Sequence, residues 1–314
     1  MTLVGSFIAF WVQVSAGQRS LRGYLRFSFP PEILRHRSSR LDLFYMLSLK
    51  LIHPFAILPF VVGNIALAIA VHAGLTQLLG ERPAGEMSGL AWATMLLLLI
   101  IVEDFMTFFG HYLLHAYASL WELHKTHHSA EFLVPLTNRR LHPLQTIFEQ
   151  VCTATAVGVA AGVLAYAFAL PLAEFFVAKV DAYYIVNALS FHHLRHSHVR
   201  LSYGWLERYL LSPAQHQLHH SCLREHWDKN FGLLFSCWDR LFGTIAYSRP
   251  GDVYQPGLPP GSGEFSTVAQ LYLTPLQRIA QSAVHRLGRR QASGGGTGSE
   301  LAPAAAPPPP HAAP

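Results

Sequence analysis

The sequence predicts an all-α, polytopic membrane protein, with about four transmembrane helices and a helical cap on one membrane face. Three observations predict it. Of 314 residues, 51% are hydrophobic and only 13% are charged, against about 25% charged in an average globular chain. Several apolar runs reach the roughly 20 residues that a bilayer core requires. The 19 histidines, costly to bury in lipid, gather in clusters at or beyond the ends of those runs.

In chain order, residues 3–14 are apolar but too short to span. They lack a basic leading region, so they read as an interfacial segment rather than a cleaved signal. They belong to a basic N-terminal segment, 1–50, with Arg19, Arg22, Arg26, Arg35, Arg37 and Arg40 and the pair Pro30 and Pro31. The first span runs from about Ile52 to Leu78, and a polar turn with Gly80, Glu81, Arg82 and Pro83 follows. The second starts near Leu90 and runs through MLLLLIIVEDF toward His115. Residues 117–150 are more polar. The third span, about Val151 to Leu172, is rich in Ala and Gly, which lets helices pack closely. The fourth, about Ala173 to Leu194, carries Glu174, Lys179 and Asp181 and is expected to form a tight hairpin with the third around Pro171. Residues 51–250 thus make one membrane domain. Residues 251–289 form an amphipathic segment, with Leu271, Leu276, Ile279 and Val284 on one side of a helix over 268–288. From 290 to 314 the chain is a Gly, Ala and Pro tail that cannot bury a core and is expected to be disordered.

The net charge is +5. Basic residues cluster before the first span, after the second and after the fourth, all on one side of a four-span protein. The positive-inside rule places both termini and every histidine cluster in the cytoplasm. No groove of interleaved basic and aromatic residues suggests a nucleic-acid partner. Cys152, Cys222 and Cys237 are too few and too scattered for a disulfide framework, and their spacing fits no zinc ribbon.

Four clusters hold the histidines that matter. HYLLH contains His111 and His115, HKTHH contains His124, His127 and His128, FHHLRH contains His192 and His196, and HQLHH contains His216, His219 and His220. On a helix, positions i, i+3 and i+4 share a face, so each HxxHH triplet points several imidazoles one way. Two triplets and two HxxxH pairs supply ten, and four or five imidazoles per ion suit two metal ions. Neutral imidazole suits iron, zinc, copper and nickel alike. A lone HxxxH pair is more often packing than a site; four boxes on one membrane face are not. His36, His53, His72, His226, His285 and His311 read as surface or packing residues. His193 competes with His192, which is preferred because it lies four residues before His196. Bound histidines usually donate their second N–H to a carboxylate or carbonyl, which makes Asp104, Asp228 and Asp239 candidates for that role. His142, His193 and His198 are further neighbours of the site.

At these residues the chain resembles the fatty acid hydroxylase superfamily, which includes sterol desaturases and sterol methyl oxidases. The matching stretches are DFMTFFGHYLLH, LWELHKTHHS, NRRLHP, RHSHVRLSYGWLERYLLSPAQHQLHHS and DKNFGLLFSCWDRLFGT, about half of residues 104–244. The resemblance implies a membrane-bound non-haem diiron oxygenase that uses dioxygen and two electrons to hydroxylate or desaturate a lipid C–H bond. It carries the ligand role to the ten histidines named above. Asn138, Arg140, His142 and Pro143 match a stretch that positions the helix after HKTHHS. Many relatives have Arg where this chain has Tyr112, and Asn where it has His198. The basic segment before the first span is similar to that of bacterial members, which implies an inner-membrane protein.

Elementary chemistry agrees. Attack on an unactivated C–H bond needs a redox-active metal such as iron, and zinc has no redox chemistry, although it can occupy such a site in a purified protein. The lipid would enter from the bilayer. Electrons would come from a separate transfer protein, since neither GxGxxG opening a helix nor CxxCH occurs. A membrane zinc hydrolase would need a base beside its ligands, as in HExxH, and none occurs. A bis-His haem protein or metal transporter would leave most of the histidines unexplained.

Overall fold

The apolar runs become helices in the computed structural model, which describes residues 2–83 and 88–293. Inside lipid a helix satisfies its own backbone groups, which an open strand does not. The described residues contain no strand, only two isolated bridges, Leu210 with Phe235 and Ser221 with Pro256. Helices α1 (Thr2–Gln13), α2 (Leu21–Ser28) and α3 (Pro31–Leu34) precede the long α4 (Arg37–Leu79). Then come α5 (Gly89–Ala116), α6 (Ala118–His128), α7 (Pro143–Ala167) and α8 (Leu172–Leu189). The last group is α9 (His192–Arg195), α10 (Pro213–His219), α11 (Cys237–Leu241) and α12 (Val268–Ser293).

Among the described residues three helices, α4, α5 and α7, are long and apolar enough to cross a membrane. The expected fourth span, α8, has 18 residues and carries Glu174, Lys179 and Asp181 in sequence, so it is not among them. It still returns the chain. Ala169 turns the backbone at φ 54, Pro171 caps α8, and α9 emerges at the end where α7 began. The expected hairpin is therefore present.

Helix α4 starts at Arg37 rather than near Ile52, and its 43 residues include Pro54 and Pro59. At about 1.5 Å per residue this far exceeds a bilayer core. Its first turns are not a span but a post. Asp42 is buried, and the Tyr45 hydroxyl donates to the Leu141 carbonyl at 3.0 Å.

Two glycines set the approach of α7 to α4. A Cβ on Gly158 would lie 3.0 Å from the Asn64 carbonyl oxygen, and one on Gly162 would lie 2.6 Å from the Ala68 carbonyl oxygen and 2.6 Å from Val71 Cβ. Beside this seam Ala68, Met95, Leu99, Ala161 and Leu170 form a buried cluster joining α4, α5 and α7. The small residues expected to permit close packing do so at this seam.

Helix α12 lies across α6 and the foot of α4. Leu271 is fully buried with Tyr45, Leu49 and Phe265, and its carbonyl accepts from the Thr126 hydroxyl at 3.1 Å. Leu276 and Val284 are exposed, so the buried stripe follows Leu271, Pro275 and Ile279 and not the face first expected. Of the expected tail, everything beyond residue 293 lies outside the described residues.

Because the atoms opposing Gly162 include backbone, no side-chain rotation relieves a clash there. Gly162→Val is expected to destabilise the helix bundle by on the order of 2 kcal/mol, read as a lower Tm of the detergent-solubilised protein. Gly63→Ala, where a Cβ meets open space, is expected to leave Tm unchanged; equal Tm values for the two variants would refute the seam.

Candidate metal centre

The histidines converge because the chain turns sharply between α5 and α6. Tyr117 is extended (φ −108, ψ 121), and it folds α6 back so that HKTHH faces HYLLH. Helix α10 is short, but it opens on a complete capping box. Ser212 accepts from Gln215 N at 3.1 Å, Gln215 accepts from Ser212 N at 3.0 Å, and Pro213 sits at the first helical position. Such a start compensates for length and fixes His216, His219 and the C-cap His220.

The ring nitrogens form two adjacent groups that could each hold a metal ion. His111, His115, His124, His128 and His219 make one, and His127, His196, His216 and His220 make the other, with the atoms of each within 4.8 Å of one another. The groups adjoin, with the His128 and His220 rings 4.6 Å apart. His192 stands outside both. Its Nε2 lies 2.9 Å from Asn138 Nδ2, because α9 points it to the side from which His196 turns away. His193 is exposed.

Within the groups the Nε2 atoms face each other. His124 Nε2 lies 3.0 Å from His111 Nε2 and 3.2 Å from His128 Nε2. His196 Nε2 lies 3.0 Å from both His127 Nε2 and His216 Nε2, and His216 Nε2 lies 3.2 Å from His220 Nε2. A ring nitrogen carries either one proton or one lone pair, so one that meets two others forms a single linear hydrogen bond and leaves the second contact unsatisfied. A shared cation removes the conflict. Nitrogens about 2.1 Å from one ion and at right angles to each other lie roughly 3.0 Å apart, so the spacing fits a metal.

The outward nitrogens strengthen the fit. His111 Nδ1 donates to the Phe231 carbonyl at 2.9 Å, His219 Nδ1 to the Lys229 carbonyl at 2.7 Å, and His115 Nδ1 to Asp228 Oδ1 at 3.2 Å. These bonds put the proton on Nδ1 and turn the Nε2 lone pair inward. Burial holds the rings outside the spans neutral. It pushes His124, His128, His196, His216, His219 and His220 well below the usual imidazole value, and His127 down to about 3, with the charges of His111 and Arg140 adding to the effect.

Of the three carboxylates, only Asp228 touches a ring. Asp104 and Asp239 hold the loop behind the rings instead. Asp104 accepts from Leu234 N, Phe235 N and Trp238 Nε1 at 2.7, 3.1 and 2.8 Å. Asp239 accepts from Phe231 N and Gly232 N, each at 2.8 Å, and from the Thr244 hydroxyl at 2.6 Å. His142 caps α7 through Leu144 N (3.2 Å) and donates to the Tyr272 carbonyl (3.1 Å). His198 donates to the Phe27 carbonyl at 2.7 Å. Both brace the cap and neither joins a group.

Sequence reasoning missed Arg195. It is buried, and its guanidinium donates to His216 Nδ1 at 2.8 Å and to the carbonyls of Gly232 (2.6 Å) and Leu233. The second group therefore has a cation behind one ring, and because Arg195 only donates, the neutral His216 ring carries its proton on Nε2, the opposite tautomer to His111, His115 and His219, so an ion held there would displace that proton. Gln145, bonded to Glu149 at 2.9 Å, is a second omission. Two cavities reach the rings. One, of about 500 Å³, opens on His115, His128 and His219 past Trp121 and Trp227. The other, of about 310 Å³, opens on His111, His124, His127, His196 and His216 from among α5 and α7.

Removing the Asp239 carboxylate strands two backbone donors, Phe231 N and Gly232 N, and frees the loop that orients His111. Asp239→Ala is expected to weaken metal binding about 10- to 100-fold, measured by metal retention against a chelator; unchanged retention would refute the role. The pH dependence follows from burial. Below pH 6.5 the unfolded chain takes up protons that the folded rings refuse, down to about pH 3 for His127. Each such ring removes about 1.4 kcal/mol of stability per pH unit across that window. Chelator-treated protein is therefore expected to melt lower at pH 5.5 than at pH 7.5; an equal or higher Tm would contradict the neutral state.

Residues 96–244 match the fatty acid hydroxylase family. The chain is 28% identical over 174 residues to alkylglycerol monooxygenase of Caenorhabditis elegans, covering 55% of this chain and 31% of that protein. It is 29% identical over 167 residues to alkylglycerol monooxygenase of Danio rerio, covering 52% and 34%. It is 28% identical over 148 residues to ornithine lipid hydroxylase OlsE of Rhizobium tropici, covering 46% and 40%. The match thus spans between 31% and 40% of the length of these relatives. No solved structure matches the chain. The matched segment contains nine buried or half-buried histidines in two metal-sized groups, and the family match together with these relatives supports a place in the fatty acid hydroxylase superfamily.

Proposed function

We propose that the chain is a membrane-bound oxygenase that uses dioxygen to hydroxylate or desaturate a lipid C–H bond at a pair of histidine-held iron ions. The observation that carries the proposal is the pair of adjoining histidine groups whose inward nitrogens meet at 3.0 to 3.2 Å. His111, His115, His124, His128 and His219 would hold one ion, and His127, His196, His216 and His220 the other. His192, bonded to Asn138, is read as a neighbour of the second. Bound iron would supply the one-electron redox chemistry that zinc lacks.

In hydroxylation one oxygen atom enters the lipid and the other leaves as water; in desaturation both leave as water. Either balance needs two electrons, and a separate electron-transfer protein is the proposed source. The chain's own part is orientation. Asp228 and the carbonyls of Phe231 and Lys229 fix three rings, and Arg195 fixes a fourth. The names of the relatives, two lipid monooxygenases and a lipid hydroxylase, support a lipid substrate drawn from the bilayer. The arginines at 19–40 lie on the α1–α4 side that meets the histidine cap, which supports an inner-membrane protein with the centre and both termini cytoplasmic.

His127→Ala and His219→Ala are each expected to remove metal from their own group and to lower product formation at least about 100-fold, with the protein still in the membrane. The measurements are iron content by elemental analysis and oxygen-dependent lipid products by mass spectrometry. Normal iron and turnover in both variants would overturn the assignment, and oxygen-independent hydrolysis by a zinc-loaded protein would overturn the reaction.

A further inference from the structure

We propose that a groove on the lipid-facing side of α4 holds one phospholipid with a net negative head group, as a bound lipid and not as the molecule oxidised. The proposal does not depend on the oxygenase reading. The groove has a volume of about 660 Å³. Its basic end is made by Lys50 and His53 of α4 with Arg139 of the connection that precedes α7, and its apolar end by Ile57, Leu58 and Val61. Among the described residues no carboxylate lines it. Lys50, Leu58, Val61 and Arg139 are all exposed.

The basic groups lack the partners that neighbouring cations have. Arg140, next in the chain, is paired with Asp42, and Lys125 and Arg278 are paired with Glu122. Among the described residues neither Lys50 nor Arg139 forms an ion pair with a carboxylate. His53 Nε2 is shielded from solvent and makes no hydrogen bond. An ammonium, a guanidinium and an imidazole N–H are all donors, and a phosphate offers only acceptors to them. Basic pockets beside spans on the cytoplasmic side are suited to anionic lipid head groups for that reason.

The groove has the length of one leaflet. Lys50 and Val61 are eleven residues apart on α4, about 16 Å at about 1.5 Å per residue. That is roughly half of a bilayer core about 30 Å thick. The basic end adjoins the histidine cap, because Arg139 precedes Arg140, which donates to Asp42 at the foot of α4. The cations therefore stand at head-group level, and the apolar side chains run from there toward the mid-plane. A free phosphate would use the basic end alone, whereas a lipid uses the whole groove. Arg139 also lines the cavity that opens on His192 and His196, so a head group seated on it holds a residue that borders the metal centre.

The test uses the full chain in a mild detergent, with bound lipid read by native mass spectrometry. Long-chain phosphatidylglycerol is expected to be retained in preference to phosphatidylcholine, whose head group carries no net charge, and to dihexanoyl phosphatidylglycerol, which lacks the long chain. The double variant Lys50→Gln with Arg139→Gln is expected to lower its retention about 20-fold at unchanged Tm and metal content. Lys50→Arg is expected to keep it. So is Arg22→Gln with Arg35→Gln, which removes the same charge outside the groove. Equal retention of phosphatidylglycerol and phosphatidylcholine, or equal losses in the two double variants, overturns the site. Displacement of the lipid by inorganic phosphate, or equal retention of the dihexanoyl lipid, overturns the lipid in favour of a bare anion site.

Discussion

The inward nitrogens of nine histidines face one another inside a water-poor cap, and the surrounding structure answers to that constraint. Burial denies the rings their charge, so neutral imidazoles rather than cations meet at the centre. Imidazoles in that state repel unless each outward nitrogen is tied down and each inward one finds a cation. The tie is built in a chain of dependence. Helix α5 supplies His111 and His115, and it also supplies Asp104, which holds the backbone at 234–235. Asp239 holds the same loop at 231–232. The loop then returns the Phe231 carbonyl to His111. One helix thus carries both the rings and the anchor of the segment that orients one of them.

Much of this was legible in the amino-acid order, and the boundary of legibility has a physical cause. Helical spacing put the three histidines of each HxxHH on one face, since i, i+3 and i+4 neighbours need no tertiary information. The pairing of FHHLRH was not decided in that way. Helix α9 is only 192–195, and His196 lies past its end at φ −105. An i, i+4 argument therefore fails for His192, which turns to Asn138. Asp104 and Asp239 were found as carboxylates near the boxes, but their partners are backbone N–H groups, which are the same for every residue type and leave no mark on a sequence. Arg195 was hidden for a related reason. A basic residue at a span end reads as a membrane-face charge, and only the fold reveals that it is buried against His216.

The same limit governs the spans. Apolar run length located α5 and the start of the α4–α5 turn well, but it could not distinguish a span from the rigid continuation of its helix. Helix α4 is continuous from Arg37 because its first turns are stabilised by contacts outside the bilayer, with Tyr45 on Leu141 and Ser38 on Glu131 N at 3.1 Å. Helix α8 shows the converse. Its ionisable residues lower its apolar character, yet the hairpin at Ala169 and its packing on α5 and α7 return the chain to the cap.

One ion pair links that post to the centre. Arg140 donates to Asp42 Oδ1 at 3.0 Å and to the Ser38 hydroxyl at 3.1 Å, while Thr137 donates to Asp42 Oδ2 at 2.7 Å and Arg140 also reaches the Phe265 carbonyl at 3.2 Å. Both charged side chains are essentially inaccessible, at 1% and 0% exposed. A pair so deeply buried contributes little net stability, because desolvation offsets much of the attraction, but losing one partner leaves an uncompensated charge. Its effect is positional. It joins α4, the 137–142 connection and the approach to α12 at one point, directly behind α6. The Arg140 charge also adds to burial in keeping His127 neutral. The stretch NRRLHP is therefore not a ligand box but the joint that holds the first histidine triplet, HKTHH on α6, against the first turns of α4.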